Sequence, residues 1–321
     1  MRRLCIVWSV SIGLIVPCVA HSQAYPARPI RLIVPSAPGG TPDIQARIIA
    51  NELTKQMGQQ VVVDNRAGAS GIIGYETIAK AAPDGYTLGY AAFPFIINRL
   101  TYAKLPYDSE KDFQPVILQI LNTNILTVTP GLPVQSVREL VDYARAQPGK
   151  LSYGSTGDGT SQQLSIELFK SMTGTRIEQV PYKAMQQAMI DTIAGQIQVL
   201  VENAASVAPH VQARRLRALG VTGLKRMPMA PELPTISEAG LPGYEMAPSS
   251  GYIFPARTPR NTLMRMNAEL NKALKSPAFA EKVAPVGGEA QGGTPEHFAE
   301  HIRKEAEKWG KVIKAAGIRP Q

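Results

Sequence analysis

The sequence predicts an α/β fold built from two units of similar plan, each a mainly parallel sheet flanked by helices. The first indication is that short runs of apolar β-formers alternate with segments of helical periodicity along most of the chain. The second is that this alternation occurs in two successive series. The third is size, because 321 residues with 44% hydrophobic content favour two domains over one.

The first series begins with a strand at residue 30, and each later element has a local signal. Ile44, Ile48 and Leu53 recur at helical spacing, and the turn Pro83-Asp84-Gly85 closes the second helix. The predicted elements are strand 30–34, helix 43–57, strand 61–63, helix 71–82 and strand 86–91.

The second series begins near residue 116 and repeats the same alternation. A segment rich in proline and glycine, 227–248, is predicted to lie on the surface, and the residues after 254 are predicted to be largely helical. The predicted elements are strands 116–121 and 125–128, helix 137–146, strand 151–154, helix 161–172, strand 178–180, helix 185–194, and strands 198–201, 217–221 and 251–254.

The order of these elements predicts that the chain crosses between the units near Ile120 and Gly251. Domain 1 would then comprise residues 25–120 plus 251–321, and domain 2 would comprise residues 121–250. Domain 1 is expected to be discontinuous because the C-terminal helices should pack back on the first unit.

Residues 1–24 have the pattern of a secretory signal peptide. Arg2 and Arg3 form a basic start, the run 4–19 is almost wholly apolar, and small residues offer cleavage sites after Ala20 or Ala24. No later stretch has the length of apolar sequence needed to span a bilayer. We therefore expect an exported protein, located in the periplasm.

Cysteine content and charge exclude several classes of function. Cys5 and Cys18 both lie in the predicted leader, so the mature chain would have no disulfide, thiol nucleophile or cysteine metal site. Removing Arg2 and Arg3 changes the net charge from 34 − 25 = +9 to 32 − 25 = +7. The basic residues are scattered without interleaved aromatics, which argues against nucleic acid, while a mild positive excess suits small anions.

The first glycine-rich turn follows the first predicted strand and leads directly into a helix. Thr41 is predicted as the N-cap and Pro42 as the first helical residue, and Asp43 favours the positive end of the helix dipole. Gly39 and Gly40 allow positive φ angles and close approach by a ligand. Such a loop binds an oxyanion through backbone N–H groups, although a tight capped turn explains the same residues without a ligand.

A second turn of the same kind occurs in the other unit, in "YGSTGDGTSQQLSIELFK", residues 153–170. Thr160 and Gln163 fit a capping box at the start of the following helix. Because ligands bind outside the carboxyl ends of strands in open α/β sheets, two such loops facing across a cleft would grip an anion from both sides. Neither loop has the third glycine of a dinucleotide fingerprint or the Gly-Lys-Ser/Thr of a P-loop.

Several segments together resemble the tripartite tricarboxylate transporter receptors, also called Bug-type solute-binding proteins. The segments include "YPARPIRLIVPSAPGGTPDIQAR", "QQVVVDNRAGASGIIGYETIAKAAPDGYTL", "QPGKLSYGSTGDGTSQQLSIELFK" and "VPYKAMQQAMIDTIAGQIQVL". The resemblance covers nearly the whole mature chain. It implies a periplasmic two-domain (Venus flytrap) receptor, by default a monomer without a cofactor, that delivers an organic carboxylate to membrane transporter subunits or a sensor.

The resemblance also implies which residues contact the ligand, mainly through backbone amides and hydroxyls of the two loops. Three departures from the family pattern bear on the ligand: Pro42 within the first loop, Asp158 in place of a small apolar residue, and Ala184 in place of glycine. They leave open whether the ligand is a tricarboxylate. The implied contacts are Gly39, Gly40, Thr41 and Asp43 in the first loop and Ser155, Thr156, Gly159, Thr160 and Ser161 in the second.

Two further residues are candidates from their positions alone. Lys183 follows a predicted strand and is placed for a charged contact at the rim of the cleft, with a solvated lysine as the alternative. Asn203 lies past another strand end and is a candidate on the same ground.

Catalytic and metal sites are not expected. The segment "HFAEH" matches an inverted zincin pattern, but His297 and His301 lie beside an apolar helical stripe and little chain follows to supply a third ligand. Ser155 is not surrounded by the Gly-x-Ser-x-Gly of a nucleophile elbow. An exported hydrolase acting on a small ester or amide is the alternative to a receptor.

Overall fold

The computed structural model describes residues 25–283 and 287–320. The predicted signal peptide, with Cys5 and Cys18, lies outside the described residues and stays a prediction. Across the described ranges, no helix combines the length and apolar character that a membrane crossing requires.

Two sheets form the framework of the described chain. The first contains β1 (Ile30–Val34), β2 (Val61–Asn65), β3 (Thr87–Ala91), β4 (Phe113–Asn122), β10 (Ser249–Pro255) and β11 (Gly288–Ala290), in the order β11-β4-β10-β3-β1-β2. The second contains β5 (Asn124–Val128), β6 (Leu151–Ser155), β7 (Ile177–Pro181), β8 (Val199–Asn203) and β9 (Arg217–Val221), in the order β7-β6-β8-β5-β9.

Helices connect most of these strands and cover the sheets. A short 3-10 turn, Ala69–Gly71, precedes α2. The helices are α1 (Thr41–Met57), α2 (Ile72–Ala79), α3 (Phe93–Thr101), α4 (Val137–Ala146), α5 (Ser161–Thr173), α6 (Met185–Ile193), α7 (Ala204–Gln212), α8 (Arg260–Leu274), α9 (Pro277–Val283) and α10 (Pro295–Ala315).

Both sheets combine parallel and antiparallel pairs. In the first sheet β1 is parallel to β2 and β3, while β10 runs antiparallel to β3 and β4. In the second sheet β6 is parallel to β7 and β8, while β5 runs antiparallel to β8 and β9. The strands that pair in parallel lead into helices, as the alternating sequence pattern predicts, and the two-sheet α/β fold is confirmed. Both sheets are mixed and not mainly parallel, because β4, β10 and β11 in the first sheet and β5 and β9 in the second pair only antiparallel.

The chain passes from the first sheet to the second between Asn122 and Asn124 and returns at Ser249, the first residue of β10. These two crossover segments run side by side, because Asn122 N donates to Pro248 O at 2.9 Å. β4 and β10 therefore extend slightly beyond the predicted crossing points.

The C-terminal helices differ in what they cover. α8 buries Leu263, Met266 and Leu270 in the core of the first sheet. α10 instead contacts both parts of the chain, because Phe298 belongs to a core cluster of the first sheet and Trp309 to that of the second. Helix α10 thus joins the two cores.

The segment 227–248 is only partly a surface excursion, and the prediction is wrong from Thr235 onwards, where several side chains are buried. Ile236, Tyr244 and Met246 are buried in the core of the second sheet, and Tyr244 Oη donates to Ser165 O at 3.0 Å. Proline and glycine set the turns of this segment, while the apolar side chains between the turns fill the core.

Candidate ligand-binding site

Strand directions bring the candidate residues to one edge of each sheet. The loops after β1, β2 and β3 leave the first sheet at the carboxyl ends of parallel strands. The start of β10 lies at the same edge, since Gly251 pairs with Ala91 in antiparallel register. In the second sheet Asn124 pairs with Asn203, so the start of β5 lies beside the end of β8. Both crossovers therefore emerge at the edges where ligands bind in α/β folds.

The first glycine loop is capped differently from the prediction. Gly40, not Thr41, is the N-cap, so Thr41 is the first and Pro42 the second helical residue of α1, and no side chain of the N-cap residue bonds to the helix. Asp43 takes over this role from inside the first turn, because its Oδ2 accepts a hydrogen bond from Gly39 N at 2.8 Å. The predicted N-cap is therefore wrong by one residue.

Asp43 is a fixed part of the loop and only 3% exposed. Its carboxylate accepts hydrogen bonds from Arg47 Nε at 3.0 Å and from Asn65 Nδ2 at 3.0 Å, besides the bond from Gly39. Burial by itself raises the pKa of Asp43, but the hydrogen bonds from Arg47, Gly39 N and Asn65 outweigh it and hold that pKa below its ordinary value. Asp43 is consequently an organiser of the loop whose charge Arg47 balances.

The two glycines of this loop have different backbone conformations. Gly39 has a φ of +81°, which favours glycine, whereas Gly40 has an extended φ of −76°. A Cβ on Gly40 would have no neighbour closer than 3.7 Å. Both residues are exposed, and the first N–H groups of α1 have no acceptor within the helix. The loop thus presents open backbone donors at a helix N-terminus.

The second glycine loop has the predicted cap. Thr160 is the N-cap of α5, and its Oγ1 accepts a hydrogen bond from Gln163 N at 3.3 Å while donating to Gly157 O at 2.9 Å. Gln163 Oε1 accepts a hydrogen bond from Gly159 N at 2.8 Å. The side chain four residues later thus bonds to the glycine N–H, as Asp43 does in the first loop.

The hydroxyl residues of the second loop fall into two groups. Ser155 is completely buried, and its Oγ accepts a hydrogen bond from Gln179 Nε2 at 2.7 Å, so it fixes the start of the loop. Thr156 is exposed and Ser161 is half-buried at the first turn of α5. Thr156 and Ser161 therefore have the accessible hydroxyls.

Helix α3 lies between the two loops on one side. Gly159 packs against it so closely that a Cβ on Gly159 would lie 3.0 Å from Ile97 Cγ2. On its other side, Asn98 Nδ2 donates to Ser70 O at 3.1 Å, in the turn that follows β2.

The turn after β2 also contacts the first glycine loop. A Cβ on Gly71 would lie 3.0 Å from Pro35 Cβ, and Arg66 N donates to Val34 O at 2.8 Å. The first glycine loop, the turn after β2, α3 and the second glycine loop therefore form a continuous set of contacts.

Lys183 and Asn203 both lie at the carboxyl edge of the second sheet. Lys183 is exposed, two residues beyond the end of β7. Asn203 is the N-cap of α7, and its Oδ1 accepts a hydrogen bond from Ala205 N at 2.9 Å. Part of the Asn203 side chain is thus committed to the helix.

Polar residues that the sequence did not identify also lie at these edges. Asn124 Nδ2, Ser36 Oγ and Ser249 Oγ are buried and have no hydrogen-bond partner within the described chain. Glu202, the penultimate residue of β8, is half-buried beside the second loop. A polar residue at the start of an otherwise largely apolar strand, as in Asn124-Ile125-Leu126, is the signal that would have found Asn124.

A separate cavity of about 500 Å³ lies beside α7. Its lining is mainly apolar and includes Ala204, Val211, Leu216 and Met227, with no residue of either glycine loop. The lining also contains Arg214, Arg217 and Glu232, but Arg217 Nη1 already donates to Leu132 O and Val134 O. The glycine loops instead offer helix N-terminal N–H groups that have no acceptor within their helices, so they suit a carboxylate better. Elsewhere in the described ranges, no three His, Cys, Asp or Glu side chains are grouped to hold a metal ion.

Comparisons with known proteins agree with this fold. The family described as "Tripartite tricarboxylate transporter family receptor" matches residues 45–318. Protein BugT of Bordetella pertussis is similar to the chain, with 33% identity over 324 aligned residues that cover 99% of each protein.

Two solved structures are similar over almost the whole described chain. Rpa4515 of R. palustris, solved with adipate, has 40% identity and a TM-score of 0.80, covering 92% of this chain and 100% of its own. MatC of Rhodopseudomonas palustris, solved with bound malate, has 26% identity and a TM-score of 0.74, covering 90% of this chain and 100% of its own. The chain belongs to the tripartite tricarboxylate transporter receptor family, whose members are periplasmic solute-binding proteins.

Proposed function

We propose that this protein is a periplasmic receptor that binds a small organic carboxylate between two domains through its two glycine loops. The observation that carries the proposal is that both loops present a helix N-terminus at the ligand-binding edge of a sheet, with a glycine N–H fixed by the side chain four residues later. Helix N-termini stabilise anions through their free N–H groups and the helix dipole, so no cationic side chain is required.

The domains follow the two sheets, so domain 1 comprises residues 25–122 plus 249–321 and domain 2 comprises residues 123–248, which moves each predicted boundary by two residues. The side-by-side crossovers at Asn122 and Pro248 supply a hinge between them. Closure of the domains adds contacts from the second loop to a ligand already held by the first, so the ligand shifts an open–closed equilibrium.

The adipate and malate found in similar proteins support a carboxylate as the ligand of this chain. Backbone donors come from Gly40, Thr41 and Ser161, and hydroxyls from Thr156 and Ser161, while Asp43, Ser155, Gly159 and the capping hydroxyl of Thr160 shape the loops. Lys183 and Asn203 complete the rim. Buried polar atoms without a partner, such as Asn124 Nδ2, support a polar ligand at the base of the site, since each costs roughly 1–3 kcal/mol when left unpaired.

Export and the membrane partner are inferred from the predicted signal peptide and from the family. Residues 1–24 direct export and are removed, and the mature monomer passes its ligand to membrane transporter subunits or to a sensor. We expect no turnover of esters or amides by the purified mature chain.

The test is thermal unfolding of the mature protein with a panel of mono-, di- and tricarboxylates, amino acids and neutral sugars. A ligand at one hundred times its dissociation constant stabilises the folded state by about 2.7 kcal/mol, which raises the Tm by several degrees. A rise with one class of carboxylate supports the receptor, and a rise with neutral sugars alone contradicts it.

A matched pair of variants assigns the binding to the first loop. Gly40→Val adds a branched side chain beside the loop N–H groups at a position with extended φ and open space, so folding should be retained and binding lost. Gly131→Val is the control, because Gly131 has no atom within 4 Å of its Cβ position and lies beyond the opposite end of β5. Carboxylate affinity that survives in Gly40→Val would overturn the assignment.

A further inference from the structure

Two carboxylates, Glu202 of β8 and Asp158, lie at the second glycine loop. Glu202 Oε2 accepts a hydrogen bond from Gln162 Nε2 at 3.1 Å, and Gln162 is in the first turn of α5. Glu202 Oε1 accepts one from Asn203 N at 2.7 Å. Each carboxylate oxygen can accept a second hydrogen bond, and the bond from Gln162 places Glu202 beside the first turn of α5.

Asp158 adds a second carboxylate to the same loop. It is exposed, and its Oδ1 accepts a hydrogen bond from Gln163 Nε2 at 2.7 Å. In the described ranges neither Asp158 nor Glu202 lies within ion-pair distance of a cationic side chain, whereas Asp43 of the first loop is paired with Arg47. The two loops therefore differ in electrostatics.

This difference restricts what can lie beside Glu202. A plain ligand carboxylate there would meet a like charge, and burial already raises the pKa of Glu202 because it disfavours the ionised form. A hydroxyl or ammonium group of the ligand would instead donate a hydrogen bond to Glu202, and hydrogen bonds to a carboxylate are among the stronger ones in proteins.

We propose that Glu202 is a specificity residue that accepts a hydrogen bond from a hydroxyl or ammonium group on the carbon next to a ligand carboxylate. The receptor is then selective for α-hydroxy or α-amino carboxylates over unsubstituted dicarboxylates. The inference rests on the proposed function and adds the ligand class to it. The carboxylate lies on the N–H groups of a glycine loop while its substituent points to Glu202.

Calorimetry with succinate, malate and aspartate tests the proposal, because these acids share one carbon chain and differ only in the substituent at the second carbon. Wild type should bind malate or aspartate about tenfold or more tighter than succinate, the difference expected for a hydrogen bond to a charged group. Glu202→Gln should reduce this preference about tenfold. It should affect aspartate more than malate if the natural donor is an ammonium group, because glutamine keeps an acceptor oxygen but loses the charge.

Glu178→Gln is the matched control. Glu178 is exposed near the amino-terminal end of β7, away from the carboxyl ends where the loops lie, and it pairs with Arg176. The control should leave all three affinities unchanged, and thermal unfolding without ligand should show that both variants fold. Asp158→Asn tests the second acid separately and should reduce the preference by a smaller factor.

The outcomes separate the two proposals. A wild-type protein that binds unsubstituted acids of any length at least as tightly as substituted ones overturns the role of Glu202 alone. The same holds if Glu202→Gln keeps the wild-type ratio of affinities. A wild-type protein that binds no carboxylate overturns the proposed function and this inference together.

Discussion

The two glycine loops have the same hydrogen-bond plan but different chemistry. In each, the N–H of the glycine before the N-cap donates to a side chain four residues later at 2.8 Å, to Asp43 in the first loop and to Gln163 in the second. The first organiser is a carboxylate paired with Arg47, and the second is a neutral amide that also donates to Asp158. The shape of an N-terminal loop is thus set by one back-directed hydrogen bond, while its charge varies independently.

The loops also differ in how tightly they are packed. Gly40 is extended and open, whereas Gly159 has a φ of +76° and lies against Ile97 of α3. The first loop is consequently a free surface, and the second is both a ligand loop and part of the packing between α5 and α3. Substitutions in the two loops should therefore differ in how much stability they cost.

Gly159→Ala should destabilise the protein by about 2–4 kcal/mol, because a left-handed φ and a Cβ contact of 3.0 Å both oppose the new side chain. Gly40→Ala is the control and should change the free energy of unfolding by less than about 0.5 kcal/mol. Chemical denaturation at neutral pH measures both. Equal effects of the two substitutions would show that the two loops are packed equally tightly.

Asp43→Asn should cost about 1.5–3 kcal/mol at neutral pH, because a buried charged acceptor of three donors is replaced by an amide. The pKa of Asp43 is lowered on folding, so its contribution is complete above the unfolded pKa and is lost as the pH falls through the folded pKa. The difference between wild type and variant should therefore shrink below about pH 4.

Denaturation at several pH values measures that difference, with Asp142→Asn as the control on the exposed surface of α4. A difference that stays constant from neutral pH down to about pH 3 would mean that the charge of Asp43 contributes nothing to the loop.

Gln163→Met should cost about 1–2 kcal/mol, because a similar-sized apolar side chain leaves the N–H of Gly159 without its acceptor. The same substitution at Gln186, an exposed position on α6, should be neutral. Chemical denaturation compares them. A neutral Gln163→Met would show that the second loop keeps its shape without the back-directed bond.

Thr160→Ala should cost about 1 kcal/mol, as expected for loss of an N-cap, whereas Thr41→Ala should cost less than about 0.5 kcal/mol. The reason is that Thr160 accepts from Gln163 N, while Thr41 is already inside its helix and caps nothing. The pair is measured by thermal unfolding of both variants without ligand. A larger loss for Thr41→Ala than for Thr160→Ala would contradict the observed caps.

Local signals in the sequence predicted much of the fold and one of the two caps. Strand–helix alternation identified both sheets, and Thr160 with Gln163 identified the start of α5 because each residue has a defined role in a capping box. The same reasoning gave the wrong N-cap for the first loop, since Thr41 and Asp43 both suit a helix start. Only the structure shows that Asp43 bonds to Gly39 and displaces the cap to Gly40.

The rest of the site depends on strand pairing, which no local signal reveals. Asn124 and Asn203 are far apart in sequence and become neighbours because β5 runs antiparallel to β8. Glu202 lies next to the second loop only because β8 pairs with β6 and Gln162 reaches across the strand end. Likewise, the burial of Tyr244 depends on its contact with α5. Such contacts join residues that the sequence places in separate elements.

If backbone N–H groups of both loops hold one ligand, hydrogen–deuterium exchange at both loops should respond to that ligand. The mature protein is compared with and without the carboxylate that most raises its Tm. Exchange should slow in both residues 36–43 and residues 155–163 when the ligand is bound, with little change along α7. Slower exchange confined to α7 and the cavity beside it, or no change in either loop on saturation, would show that the glycine loops do not hold the ligand.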